Sequence, residues 1–401
     1  MRDTEIFSQL LGLTKDWVVS SVDLVSEVDS IQIEVEHVGI VLCPVCGKEA
    51  PLYDHSERRL WRHLDTMQFM TFVGCRVPRC DCPEHGVKQL DVPWSGPKSR
   101  FTQAFESLVI DLLRMTRCQS RTAKMMRLGP WQVHLVMRRA VERGLTIRKL
   151  GEIHHLSIDD KSFQRGHRYG SVLSDLAGRR VLDVTLGRDE KAAKLVLDSL
   201  DHPEAVRTIT MDMAPAFKNA ALEALPQADI IHDRFHVAMI LGEAVDQTRR
   251  AEQKKRPELK YSRFVWLKNP ENRSEKQHSH FNLLMSLELK TAQAYAFKEV
   301  LRHFFEQDDM LAATHFLSDW INEVRKAKLP ALLAAAKTIE KNFKGLLNYV
   351  KWKMTNGFAE GLNSMIQEIK TVARGFRRFE NFRIAILFFL GKLELHPRKS
   401  P

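Results

Sequence analysis

No stretch of this chain is long and apolar enough to cross a bilayer. The longest apolar run, Ile384 to Leu390, falls well short of the roughly 18 residues a spanning helix needs. The opening Met-Arg-Asp-Thr-Glu also lacks the pattern of a secretory leader. Cysteine is scarce, six in 401 residues, which argues against a disulfide framework. No internal repeat or low-complexity tract is present, and no Ser-His-Asp or Cys-His pairing stands out as a covalent nucleophile with its base. A soluble, cytoplasmic protein with no membrane partner is therefore expected. The composition, 44% hydrophobic and 28% charged, is that of a globular chain with length for two to four domains. The formal net charge is +11, so a polyanionic partner is expected for any accessible basic face.

Five of the six cysteines fall between Cys43 and Cys82, a clustering that points to metal rather than disulfides. Cys43-Pro-Val-Cys46-Gly places two thiolates on a tight turn, with Gly47 free to take a positive φ. Downstream, Cys80-Asp-Cys82-Pro-Glu-His85-Gly86 repeats the two-residue gap between Cys82 and His85. Cys43, Cys46, Cys82 and His85 can thus close a four-coordinate structural Zn²⁺ site with zinc-ribbon spacing. Cys80 competes with Cys82 for the third position and Cys75 competes more weakly, each being otherwise a buried thiol.

The N-terminal region, 1–98, begins with a short helix at 5–13 and β-branched residues in partial alternation from Trp17 to Val38. From 99 to 150 the period is helical. Here Ser120 to Arg127, a turn at Leu128-Gly129-Pro130, and Trp131 to Arg143 have the lengths of a helix-turn-helix, with Gly129 ending one helix and Pro130 opening the next. Arg114 to Lys149 carries ten Lys and Arg against one acid, Glu142, a concentration suited to phosphate contact. Gln132, His134 and Arg138 are expected to face base edges of double-stranded DNA, with Arg121 and Lys124 on its backbone.

Between 151 and 237 the order β-β-β-α-β-α-β predicts a mixed sheet with helices on its faces, typical of ribonuclease-H-like folds. The block 238–350 reads as almost wholly helical, and its basic stretch from Asp246 to His278 reads as a solvated face rather than a DNA groove. The last part, 351–401, is helical with a break near Gly375. Ser157-Ile-Asp159-Asp160-Lys161 is expected to end the first strand of the sheet, and Thr210-Met-Asp212 the fourth. Carboxylates brought together there would repel unless divalent cations lie between them, as in two-metal phosphoryl-transfer sites. Strand alternation allows only one of Asp159 and Asp160 to face those cations. Glu360, at the start of a later helix, is the third candidate, and carboxylate oxygens favour Mg²⁺ or Mn²⁺.

Taken together, these segments resemble the DDE transposases of bacterial insertion sequences, in particular the ISL-three family, over nearly the whole chain. The resemblance rests on Cys43-Pro-Val-Cys46-Gly, Arg76 to Gly86, Ser157 to His167, Met211-Asp212-Met213, Asp233-Arg-Phe-His236-Val, Phe358-Ala-Glu360-Gly-Leu-Asn363 and Arg374 to Phe382. It implies a multidomain α+β protein: an N-terminal zinc ribbon, a helix-turn-helix, and a ribonuclease-H-like catalytic core interrupted by a helical insertion before its last acid. It implies Asp159, Asp212 and Glu360 as the catalytic acids, two Mg²⁺ ions, and Asp233 with His236 as an accessory element near them. Cys82 with His85 is favoured over Cys80, and Asp160 stands where Glu is more usual. The implied activity is cleavage and strand transfer at terminal inverted repeats, by a dimer on DNA in the bacterial nucleoid. A non-catalytic DNA-binding regulator derived from such an enzyme is the competing reading, and a ribonuclease-H-type nuclease without strand transfer is a third.

Overall fold

A computed structural model describes residues 3–164, 166, 168–354 and 357–397, the side chains of 358–360 excepted. It divides into two units, 1–148 with 393–401, and 149–392.

In the first unit a helix, α1 (Asp3–Leu10), precedes seven strands: β1 (Trp17–Val25), β2 (Ser30–His37), β3 (Leu52–His55), β4 (Arg59–Arg62), β5 (Met70–Cys75), β6 (Pro78–Cys82) and β7 (Gly86–Gln89). They form a four-stranded sheet in the order β1-β2-β5-β4 and a three-stranded sheet β3-β6-β7. The period-2 alternation of β2 sends Ile33 and Val35 into a core shared with Val73 and three tryptophans. Trp94 meets Trp17 and Trp61 edge-on, with ring centroids 5.1 and 5.6 Å apart.

Three helices follow, α2 (Gln103–Thr116), α3 (Gln119–Met125) and α4 (Pro130–Ile147). Thr102 caps α2 by accepting the Phe105 N–H, and Pro130 opens α4 as its missing N–H and fixed φ favour. The turn differs from expectation in one respect. Gly129 has φ −77° and caps α4, whereas Arg127 supplies the left-handed step after α3. The helices are tied by Glu106, 4% exposed, which accepts from Ser99 and Arg139.

The second unit is built on a five-stranded sheet of β8 (His155–Gln164), β9 (Arg168–Asp175), β10 (Arg180–Leu186), β11 (Thr208–Met211) and β12 (Asp229–His232). Its order is β10-β9-β8-β11-β12; the first three strands form an antiparallel meander, and β11 and β12 are parallel to β8. Helices α5 (Glu190–Leu197) and α6 (Pro215–Ala224) follow β10 and β11. They cover one face, where Leu156, Ile158, Ile209 and Met211 pack with Val196 and Phe217. The two four-residue strands β11 and β12 are buried along almost their whole length, as strands covered on both faces are.

After β12 the chain is helical: α7 (Arg234–Glu252), α8 (Arg263–Leu267), α9 (Glu275–Met285), α10 (Lys290–Arg302), α11 (Met310–Ala327), α12 (Pro330–Lys341) and α13 (Phe343–Trp352), then α14 (Gly357–Val372) and α15 (Phe379–Leu390). Helices α7 to α13 enclose their own core around Trp266, Phe304, Leu317 and Ile339. Helix α13 returns to β12, where Asn348 Nδ2 donates to the Ile230 carbonyl at 2.8 Å and Trp352 Nε1 to Asp229 at 2.9 Å. The approach requires Gly345, because a Cβ there would lie 2.3 Å from the His232 ring. Helix α15 locks onto the meander through Arg383 and Asp183, 2.7 Å apart, and through Phe382 stacked on Phe163.

Candidate active site and metal centre

In the first unit, the turn Cys43–Gly47 is closed by the Gly47 N–H on the Cys43 carbonyl at 2.8 Å, with Gly47 at φ 71°. The end of β6 and the turn after it add Cys82 and His85. The donor atoms of Cys43, Cys46, Cys82 and His85 all lie within 4.8 Å of one another. Cys46 Sγ is 3.8 Å from Cys82 Sγ, and His85 Nδ1 is 3.5 Å from Cys82 Sγ and 3.8 Å from Cys43 Sγ. Tetrahedral Zn²⁺ with thiolate and imidazole bonds of ordinary length needs donor separations of about 3.5–3.8 Å. The donor set therefore fits a closed structural zinc centre, with all four positions filled by protein. Cys80 is fully buried beside it and lies outside this group, and burial pushes the Cys75 thiol up to about 12.

In the second unit, β8 does not end at its paired acids as the sequence implied. It runs on to Gln164 because β9 continues to pair with it, whereas its pairing with β11 stops at Ser157 opposite Thr210. Asp159 and Asp160 therefore sit in mid-strand, just past the point where the neighbouring strand gives out. Continued by two residues, that register brings Asp212 level with Asp159. The pairing of Met211 with His232, continued by one, brings Asp233 level with Asp212. Neighbouring strands lie about 4.8 Å apart, so three carboxylate-bearing positions form one row across the strand ends.

Alternation separates the two candidate acids of β8. Ile158 and Met211 face the α5 and α6 core, so Asp159 and Asp212 lie on the other face. There Asn363 of α14 donates to Asp159 Oδ2 at 3.0 Å, and Lys161 Nζ lies 2.8 Å from the same oxygen. Asp160 instead turns toward Arg188, with Nη1 3.8 Å from Oδ2. Burial raises the pKa of Asp160, and the nearby Asp159 and Asp212 charges raise it further. Asp212 Oδ1 accepts the Ala214 N–H at 2.9 Å. The Glu360 side chain lies outside the described residues. Its backbone belongs to α14, one turn before Asn363, and positions three apart share a helix face. Asn363 and Lys161 had no assigned role from sequence. Their spacings, three from Glu360 on a helix and two from Asp159 on a strand, were the available signal.

Asp233 caps α7 by accepting the Phe235 N–H at 3.2 Å. His236, one turn along, has a buried Nδ1 with no hydrogen-bond partner among the described residues. In the three-helix module, Arg121 and Lys124 are exposed. Gln132 is exposed too, but its Oε1 accepts the Gly129 N–H at 2.8 Å. Arg138 is half-buried beside Glu142. His134 is only 5% exposed and stacks on the exposed Trp131, because it falls on the face with Val133, Met137 and Val141.

Likeness to known proteins defines the class first: this is a transposase. Residues 156–386 match the transposase model of the ISL3 DDE group, and residues 41–85 match the zinc-finger of transposase IS204/IS1001/IS1096/IS1165. The first match alone covers more than half of the chain, and the protein belongs to the ISL3 family of transposases. It is 25% identical to the transposase for insertion sequence element IS1557 of Mycobacterium tuberculosis, over 94% of this chain and 93% of that one. It is 24% identical to the transposase for insertion sequence element IS1001 of Bordetella parapertussis, over 86% and 88%.

Proposed function

We propose that this protein mobilises its own insertion sequence, binding double-stranded DNA at the terminal inverted repeats, cleaving it there and joining the freed ends to target DNA. The observation that carries the reading is the level placement of Asp159 and Asp212 on one face of adjacent parallel strands, with the helix of Glu360 fastened to Asp159 through Asn363. We read this sheet as a ribonuclease-H-like core formed by 151–237 and 351–401, with 238–350 inserted, 99–150 as a helix-turn-helix and 1–98 as the ribbon region.

Oxygen donors from Asp159, Asp212 and Glu360 suit two Mg²⁺ or Mn²⁺ ions, which when bound would activate the attacking oxygen and stabilise the leaving one. The carboxylates hold the DNA phosphodiester's surroundings electrically balanced only with such cations present. Until then Lys161 and Asn363 keep Asp159 in place. Asp233 fixes the start of α7 and so places His236 one turn along, as an accessory element beside the acids. A cytoplasmic, nucleoid-associated protein working as a dimer fits this activity.

The test is an assay with purified protein, Mg²⁺ and duplexes carrying the element's own ends. Nicking and joining are expected. Tight, end-specific binding without cutting under any divalent metal would replace the enzyme by a regulator.

End recognition is assigned to α3 and α4: Arg121 and Lys124 on phosphates, Gln132 and Arg138 toward bases, and His134 supporting them from within. Arg121→Ala with Lys124→Ala should lower the slope of log affinity against log salt by about 2 with sequence preference kept. Titrations at several salt concentrations measure this; an unchanged slope removes both residues from the interface.

A further inference from the structure

We infer that the segment from Lys254 to Lys268 in the helical region is a second DNA-contacting surface, whose lysines grip phosphates while Tyr261 and Phe264 stack unpaired bases at a DNA end. The inference rests on the transposase reading above. The segment holds Lys254, Lys255, Arg256, Lys260, Arg263 and Lys268 against one acid, Glu258. Arg256 and Arg263 have acidic partners within 3.6 and 3.7 Å. Lys254, Lys255 and Lys260 are exposed, and among the described residues no ion pair engages them.

The aromatic residues are the second observation. Tyr261 is 98% exposed and Phe264 60% exposed, with the Arg263 guanidinium 5.7 Å from the Phe264 ring centre. They are not the remains of a core that failed to close. Leu259, Ser262 and Trp266 between and beside them are completely buried. Ser262 Oγ donates to the Leu259 carbonyl at 2.7 Å, and Trp266 Nε1 donates to Ser262 Oγ at 3.2 Å. The turn is therefore fixed from beneath, and it holds Tyr261 at φ 60°, a left-handed backbone that a bulky side chain adopts only when its surroundings enforce it.

An apolar ring held out in water among unpaired cations matches the demands of nucleic acid whose bases are unstacked. The rings offer a sequence-tolerant stacking platform and the lysines follow the backbone. A second copy of the chain is a poorer occupant, since it would bring the same positive charge against itself.

The test uses the zinc-loaded full chain without added Mg²⁺ or Mn²⁺ and fluorescence anisotropy, with duplexes of about 20 base pairs that are blunt or carry a few unpaired bases at one end. The protein should prefer the frayed duplex by about tenfold, the scale of one stacked base. Tyr261→Ala with Phe264→Ala should erase that preference while leaving blunt-duplex affinity within about twofold. Lys254→Ala, Lys255→Ala and Lys260→Ala together should weaken both and reduce the salt slope by about 2–3. Unchanged melting curves would confirm that these exposed substitutions leave folding intact. No preference in the unaltered protein, or a preference that survives loss of both rings, overturns the inference. So does a change of particle mass in place of DNA affinity, which would identify a protein interface. Because binding is read without the added Mg²⁺ or Mn²⁺ that cleavage requires, failure here and failure of the transposase reading are separate results.

Discussion

Replacing Asp212 by asparagine should abolish cleavage and joining while leaving end binding intact. The change keeps the shape of the side chain, and its acceptor to the Ala214 N–H can remain an oxygen, so the start of α6 is undisturbed. It removes the negative charge that divalent cations require at the end of β11. Loss of a single electrostatic donor commonly costs about 10²–10³ in rate, and loss of a carboxylate from a two-metal cluster should exceed about 10³. Asp159→Asn should match it. Asp160→Asn, on the Arg188 side of the strand, should keep most activity, so the three variants read out which face of β8 meets the metals. Cleavage at ordinary levels in the Asp212 variant would refute the triad.

Removing zinc should undo the three-stranded sheet of the first unit. The metal's two knuckles join the Cys43 turn to the end of β6, and β6 is the central strand of that sheet. Structural zinc sites contribute about 10–16 kcal/mol of apparent binding free energy at neutral pH, more than a small sheet can replace. A Cys43→Ser, Cys46→Ser protein should therefore contain no zinc and be cut by protease within the first hundred or so residues. Zinc should also be lost on acidification, since thiolate and imidazole ligands must shed protons to bind. Elemental analysis across pH, paired with proteolysis, checks both; full zinc retention in the double variant sinks the assignment.

The zinc centre was the most legible part of the sequence, because four ligands at fixed short gaps leave few other geometries. The succession of strands and helices along the second unit, and its mixed sheet, were legible from the change of period, as was the helical block between β12 and α14. The length of β8 was not. Asp159-Asp160-Lys161-Ser162 looks like a polar strand end, yet the partner strand β9 carries it onward and Phe163 finds a core on α15. Nor could alternation alone decide between Asp159 and Asp160, since that choice depends on which helix covers which face. The same limit explains His134. Its polarity marks it for a solvent face, but its place on α4, between Val133 and Met137, turns it inward. Tertiary packing overrode local character at each of these positions.

The hydrogen bond from Asn363 to Asp159 spans 204 residues. At the usual pace of synthesis, about 5–20 residues per second, β8 leaves the ribosome roughly 10–40 s before the turn of α14 that completes the cluster. A nascent or prematurely terminated chain can therefore display its zinc-bound N-terminal sheets and basic three-helix module, and even the first two acids, without a finished cutting site. On the reading given above, truncated products would occupy element ends and compete with the whole enzyme, so that errors in translation restrain movement of the element instead of scattering breaks through the chromosome.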